Sequence, residues 1–284
     1  MTETRESVFK TSQGSVLHYF TRGTGPPVVV LPPAWGIGSV YLQDGLRALE
    51  DKFTLIYLEF RGNGRSTKPA PEQMTCWHLA ADVEHLRQEL ELDTIPRLVG
   101  HSGGGTIALW YAIRFPGRVG KLILLTHRLE GFDDSQSMGA MLAAKQRDPR
   151  MRDALQALTS SWDDLSDEEF AAVNRRFLPA YYHDPSVASK SPLASVSSIP
   201  LWNYQMLHGK YAQLKSQEEL LDKVTANTLM IFADDDPICN PEHGLATKKG
   251  IADSELVVLE KCGHFPWMER TDETLSHITR FFST

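Results

Sequence analysis

The sequence predicts an α/β fold: a mostly parallel central sheet with helices on both faces and a helical cap inserted into it. Three observations carry this. Short apolar, β-rich runs alternate with helix-like segments through the first part of the chain and again at its end. No convincing strand occurs between about His127 and Val224. A Gly-x-Ser-x-Gly segment, Gly100-His101-Ser102-Gly103-Gly104, joins a strand to a helix. Strands alternating with helices need right-handed crossovers, which cover both faces of a parallel sheet. The chain of 284 residues is long enough for one substantial core. The pattern divides it into a first core part over 1–126, a helical cap over 127–225 and a second core part over 226–284.

Taken in order, Val16 to Thr21 reads as a strand after a turn at Gln13-Gly14. Val28 to Leu31 is a continuous apolar run bounded by Pro and Gly, as a strand buried on both faces is. Ser39 to Glu50 is helical in composition, and Phe53 to Leu58 is β-rich. Thr75 caps a helix whose apolar residues Cys76, Leu79, Ala80, Val83, Leu86 and Leu90 recur at the spacing of one helix face. Arg97 to Gly100 is a short strand, Thr106 to Phe115 a helix stopped by Pro116, and Val119 to Leu125 a buried strand. After the cap come a strand over Thr228 to Ala233, a helix over Glu242 to Gly250, a strand over Glu255 to Glu260 and a helix over Glu269 to Phe282. There is no internal repeat and no low-complexity tract.

Composition narrows the function classes. Hydrophobic residues make up 42% and charged residues 23%, with a formal net charge of -7. An acidic chain gains nothing from counterion release at phosphates, so nucleic acid is not an expected partner. No run approaches the about 20 apolar residues of a membrane helix, and Met1 to Lys10 lacks the apolar stretch of a signal peptide. Three cysteines, Cys76, Cys239 and Cys262, and no N-x-Ser/Thr acceptor point to a reducing, cytoplasmic setting. No cofactor motif and no metal-ligand spacing appear; the run Asp234-Asp235-Asp236 lacks the loop pattern of a calcium site. The expected partner is a small-molecule substrate, and the expected assembly a monomer or homodimer.

The Gly-x-Ser-x-Gly context suits a nucleophile. The strand Leu98-Val99 runs directly into it and a helix runs out, the strand–elbow–helix arrangement that lifts Ser102 above the carboxyl edge of a sheet. The alternative, a phosphate cradle, lacks the lysine and the glycine spacing such loops need. A serine hydroxyl needs a base, and the order Ser, acid, His is supplied. His264 lies just past the strand ending near Glu260, in Gly263-His264-Phe265-Pro266-Trp267. The acid lies past the strand ending at Phe232, among Asp234, Asp235 and Asp236. Gly103, following the nucleophile, offers one backbone N–H for an oxyanion.

Five stretches then carry a resemblance to the prolyl-iminopeptidase-like branch of the α/β-hydrolase superfamily: Pro32-Pro33-Ala34-Trp35-Gly36, Arg61-Gly62-Asn63-Gly64-Arg65-Ser66, Gly100 to Gly105, Asp236-Pro237-Ile238-Cys239 and Gly263-His264-Phe265-Pro266. The resemblance implies that Asp236, rather than Asp234 or Asp235, is the acid. It implies that Ala34 supplies the second oxyanion N–H, where relatives read His-Gly-Gly-Pro-Gly. It also implies that the insertion forms a lid over the nucleophile. Trp35, His101, Trp202, Phe265 and Trp267 are the expected substrate-binding residues, with Tyr204 a further candidate. True iminopeptidases have Gly-Gly-Ser-Trp-Gly-Ser where this chain has Gly100-His101-Ser102-Gly103-Gly104-Gly105. The expected activity is therefore hydrolysis of an ester, lactone or amide of a small, mostly apolar metabolite through an acyl-serine. C–C bond hydrolysis of a diketone-like metabolite, prolyl iminopeptidase activity, and a non-hydrolytic binder or cyclase stand as alternatives.

Overall fold

A computed structural model of the chain describes residues 3–209 and 216–283. Eight strands form one sheet in the order β1-β2-β4-β3-β5-β6-β7-β8. They are β1 (Arg5–Lys10), β2 (Val16–Arg22), β3 (Pro27–Leu31), β4 (Thr54–Glu59), β5 (Ile95–His101), β6 (Val119–Leu125), β7 (Asn227–Ala233) and β8 (Ser254–Leu259). Pairs β1–β2 and β2–β4 are antiparallel and all later pairs are parallel. The reversal of strand order around β3 and β5 places the ends of both strands beside one crevice, where open α/β sheets hold their ligands.

Helices α1 (Val40–Gly45), α2 (Cys76–Glu89), α3 (Gly103–Arg114), α8 (Pro241–Gly250), α9 (Pro266–Glu269) and α10 (Thr271–Ser283) connect or follow the strands. The central strands are apolar on both faces because two cores cover them. One gathers Leu98, Leu122, Ile107 and Val83 with α2 and α3. The other gathers Val99, Ile123, Ile231 and Phe282 with α1 and α10. Thr75 caps α2, its side chain accepting the His78 N–H.

Between β6 and β7 the described residues contain no strand. They hold α4 (Ser135–Lys145), α5 (Arg152–Leu158), α6 (Asp167–Phe177), α7 (Leu201–His208) and several single 3₁₀ turns. Here α6 starts at a full capping box of Ser166 and Glu169. An aromatic cluster of Trp162, Phe170, Phe177 and Tyr204 binds this segment together and reaches down to Trp35.

Candidate active site

The chain leaves β5 and enters α3 through Ser102, which sits at φ 54°, ψ −125°. That left-handed conformation costs a non-glycine residue about 1–3 kcal/mol, and the flanking glycines make it possible. A Cβ at Gly100 would lie 2.4 Å from the Gly104 carbonyl oxygen, and one at Gly104 would lie 2.1 Å from that of Leu31. The Ser102 N–H donates to the Leu125 carbonyl at 2.9 Å, tying the elbow to β6.

Asp236 and His264 follow β7 and β8, and the parallel pairing of those strands brings them together. Asp236 Oδ2 lies 2.6 Å from His264 Nδ1, both side chains being buried. Asp236 Oδ1 accepts the N–H groups of Ile238 and Cys239 at 2.9 and 3.1 Å. A carboxylate acceptor fixes the proton on Nδ1 and leaves Nε2 able to accept one. The other two acids of the run have different work: Asp235 pairs with Lys145 Nζ at 2.9 Å, and Asp234 Oδ1 accepts the Cys262 N–H.

The backbone of His264 is gripped on both sides. Its N–H donates to the Tyr181 carbonyl at 2.7 Å, and its carbonyl accepts from Thr126 Oγ1 at 3.1 Å and His101 Nε2 at 3.0 Å. A carbonyl only accepts, so His101 carries its proton on Nε2 and takes the Tyr41 hydroxyl proton on Nδ1, at 2.7 Å. Burial, reinforced by the neighbouring His264, holds the His101 pKa well below the ordinary histidine range. His101 borders a cavity beside Ser102, but both of its nitrogens are committed to this brace.

Gly103 is the first residue of α3, whose leading N–H groups have no partner within the helix. Ala34 is buried on the facing loop. Its carbonyl is fixed by Asn63 Nδ2 at 2.9 Å and Asn203 Nδ2 at 3.3 Å, while Asn63 Oδ1 accepts the Gly36 N–H at 2.8 Å.

Ser102 lies on the walls of two cavities. A narrow one of about 30 Å³ is bounded by Trp35, Tyr41, Phe177, Tyr181 and Phe265. A larger one of about 630 Å³ is bounded by Trp35, Gly103, Arg128, Tyr204 and Cys239. Of the residues expected to bind substrate, Trp35 and Phe265 line one or both cavities, as does Tyr204. Trp267 lines neither. It is packed behind His101 and Tyr41, with its indole filling the space a side chain at Gly45 would need. Trp202 also turns away from both cavities, lying against Gly62 with Lys68 Nζ 4.2 Å from its ring centre.

Asp236, Cys239 and His264 present possible metal-ligand atoms within 4.8 Å of one another. Asp236 Oδ2 and His264 Nδ1 are already hydrogen-bonded to each other. Burial pushes the Cys239 thiol well above its ordinary range. The reading from sequence passed over Tyr41, Asn203 and Arg128, which have no motif around them. Asn63 lies inside the quoted Arg61 to Ser66 stretch and was the one with a signal.

The model of the alpha/beta hydrolase fold family matches residues 27–271. The chain belongs to that family. It is 25% identical to the cis-3-alkyl-4-alkyloxetan-2-one decarboxylase of Shewanella oneidensis, over 97% of this chain and 87% of that protein. It is 27% identical to the proline iminopeptidase PfmaB of Pestalotiopsis fici, over 89% of this chain and 90% of that one. Among solved structures, the esterase of Exiguobacterium antarcticum superposes with a TM-score of 0.74 at 19% identity, covering 98% of this chain and 99% of the other. Membership makes this chain an enzyme of the α/β-hydrolase class. None of its described helices is long and apolar enough to cross a membrane.

Proposed function

We propose that the chain is a serine hydrolase that cleaves an ester, lactone or amide of a small, mostly apolar metabolite. The observation that carries this is the buried 2.6 Å Asp236–His264 pair on the loops that converge on the strained Ser102 elbow. His264 Nε2 takes the Ser102 proton as Oγ attacks the carbonyl carbon. The Ala34 and Gly103 N–H groups hold the oxyanion. His264 then returns the proton to the leaving group and activates water against the acyl-serine. Asp236 orients the imidazole and stabilises its charged form. Residues 127–225 act as a lid, with Trp35, Phe177, Tyr181 and Phe265 as apolar walls; such walls gain about 25 cal/mol per Å² of apolar surface they cover. The unpaired cysteines agree with a cytoplasmic site of action.

An iminopeptidase would need an acid free to hold the substrate ammonium. Among the described residues the acid on the larger cavity's wall is Glu130, which is largely buried and accepts from Trp110 Nε1 at 2.6 Å. The test is labelling by a fluorophosphonate probe together with turnover of short acyl p-nitrophenyl esters, aromatic lactones, diketones and proline naphthylamide. Labelling at Ser102, with Ser102→Ala reduced to the about 10³–10⁴-fold over water left by binding and the oxyanion hole, is the expected result. Substantial turnover by Ser102→Ala would sink the mechanism. Efficient cleavage of the prolyl amide alone would restore the peptidase.

A further inference from the structure

We infer that the larger cavity holds an anion subsite at Arg128, so that the substrate is an apolar molecule carrying one carboxylate. This deepens the hydrolase reading and rests on it. Arg128 lies just past β6, and its carbonyl accepts from Thr106 Oγ1 at 2.7 Å. That bond fixes its backbone to α3, the helix that starts beside Ser102. Among the described residues it is the one lysine or arginine on the wall of the cavity that also exposes Ser102 and Gly103.

The guanidinium is underused. Its Nη2 donates to Asp134 Oδ1 at 3.2 Å, and no other hydrogen bond joins its side chain to a described residue. The side chain is 46% exposed. The bland reading is an arginine present only to neutralise Asp134. The same fold shows what such an arginine looks like. Arg61 holds buried Asp82 through both Nε and Nη2, with Nε–Oδ2 at 2.9 Å, and is itself 1% exposed. Arg128, on the cavity wall, makes one longer contact and leaves most of its five donors without a partner among the described residues.

Arg128 meets Asp134 through a single hydrogen bond and keeps its remaining donors without a partner among the described residues. Asp134 Oδ2 takes the proton of His243 Nε2 at 3.0 Å, since His243 Nδ1 accepts the Leu129 N–H at 3.2 Å. This imidazole is therefore neutral, and Asp134 is held as a brace from two sides. Glu130 is turned to Trp110, and burial raises its pKa. His208 donates from Nδ1 to the Tyr204 carbonyl. Desolvation lowers the His208 pKa below the ordinary histidine range, and the Arg128 charge adds to that. A planar carboxylate matches the free fork in geometry and charge. Trp35, Phe177 and Tyr181 take the apolar remainder between it and Ser102.

The test is calorimetric binding of 4-phenylbutyrate and of its uncharged amide to the Ser102→Ala chain, which separates binding from catalysis. The expected result is at least tenfold tighter binding of the acid, weakening with added salt. Arg128→Gln should bind both alike, and Arg128→Lys should keep part of the preference as a single point charge. Thermal melts check that each variant is folded, and Arg128→Lys keeps the Asp134 partner should Arg128→Gln fail to fold. Equal binding of acid and amide by the parent, no binding of the acid, or a preference that survives at a folded variant lacking Arg128's fork undiminished, overturns the subsite. Absence of fluorophosphonate labelling at Ser102 would count against the hydrolase reading alone, because the calorimetric preference does not depend on it.

Discussion

At the scale of single residues, three successive acids have three distinct partners. Asp236 faces His264, Asp235 faces Lys145 and His183, and Asp234 faces the Cys262 N–H. Replacing Asp236 by Asn therefore removes the acceptor that sets the His264 tautomer. By analogy with the orienting acid of a serine protease, kcat should fall by about 10⁴. Asp234→Asn and Asp235→Asn should each cost less than tenfold, and steady-state kinetics on one ester decides between them. The Ser102 turn and the Asp236–His264 pair were legible because each stands in a glycine-marked or strand-end motif. The pocket walls were less so. Trp202 and Trp267 are near the right loops in sequence, but a side chain's direction depends on what packs behind it. Gly45 leaves a slot that swallows the Trp267 indole, and nothing in the local sequence announces that slot. Arg128 was missed because an arginine directly after a strand reads as an ordinary solvated end.

At the scale of elements, β6 occupies Val119–Leu125, ending in the buried apolar run Leu122 to Leu125, while β1 went unread. Its sequence Arg-Glu-Ser-Val-Phe-Lys is largely exposed on an edge, so burial imposes no clear alternation. Helix α3 begins at Gly103 rather than Thr106. Glycines are poor helix formers, but here close approach to Leu31 and His127 requires them in the first turn. Two inter-element contacts carry predictions. Asn203 on α7 bonds the carbonyls of Gly62 and Ala34 at 2.9 and 3.3 Å, joining the β6–β7 segment to the loop that holds the proposed oxyanion donor. Asn203→Ala should lower kcat about tenfold, on the order of 1.4 kcal/mol of barrier, with KM little changed. A rise in KM at constant kcat would show that Asn203 serves binding instead. The buried Arg61–Asp82 pair joins the loop after β4 to α2. Asp82→Ala strands a buried guanidinium and should cost about 3–5 kcal/mol of stability, read from urea denaturation midpoints.

At the scale of the whole molecule, the fold shields several histidines from solvent, and that makes its stability depend on pH. Burial, helped by the nearby His243, pushes the His127 pKa down to about 3. Burial also depresses His243, against the pull of Asp134, and depresses His101. In the unfolded chain these side chains take up protons near pH 6.5. Between pH 6.5 and the folded value, the unfolded state therefore binds more protons than the folded one. Stability must then fall as pH falls, by up to about 1.4 kcal/mol per pH unit for each such histidine. For His127 the window runs from pH 6.5 down to about 3, and the loss from this residue between pH 7 and pH 5 should be about 2 kcal/mol. His127 makes one hydrogen bond, from Nε2 to Thr247 Oγ1 at 2.9 Å, and its Nδ1 has no partner among the described residues. His127→Gln keeps a polar group near Thr247 but cannot titrate. That variant is expected to start less stable at pH 7 and to lose about 2 kcal/mol less than the parent on going to pH 5. Urea unfolding of both chains at the two pH values measures this difference. Parallel losses in parent and variant would mean that His127 is protonated in the folded state, and that the strand end it occupies is wetter than its packing against Phe232 and Gly105 requires.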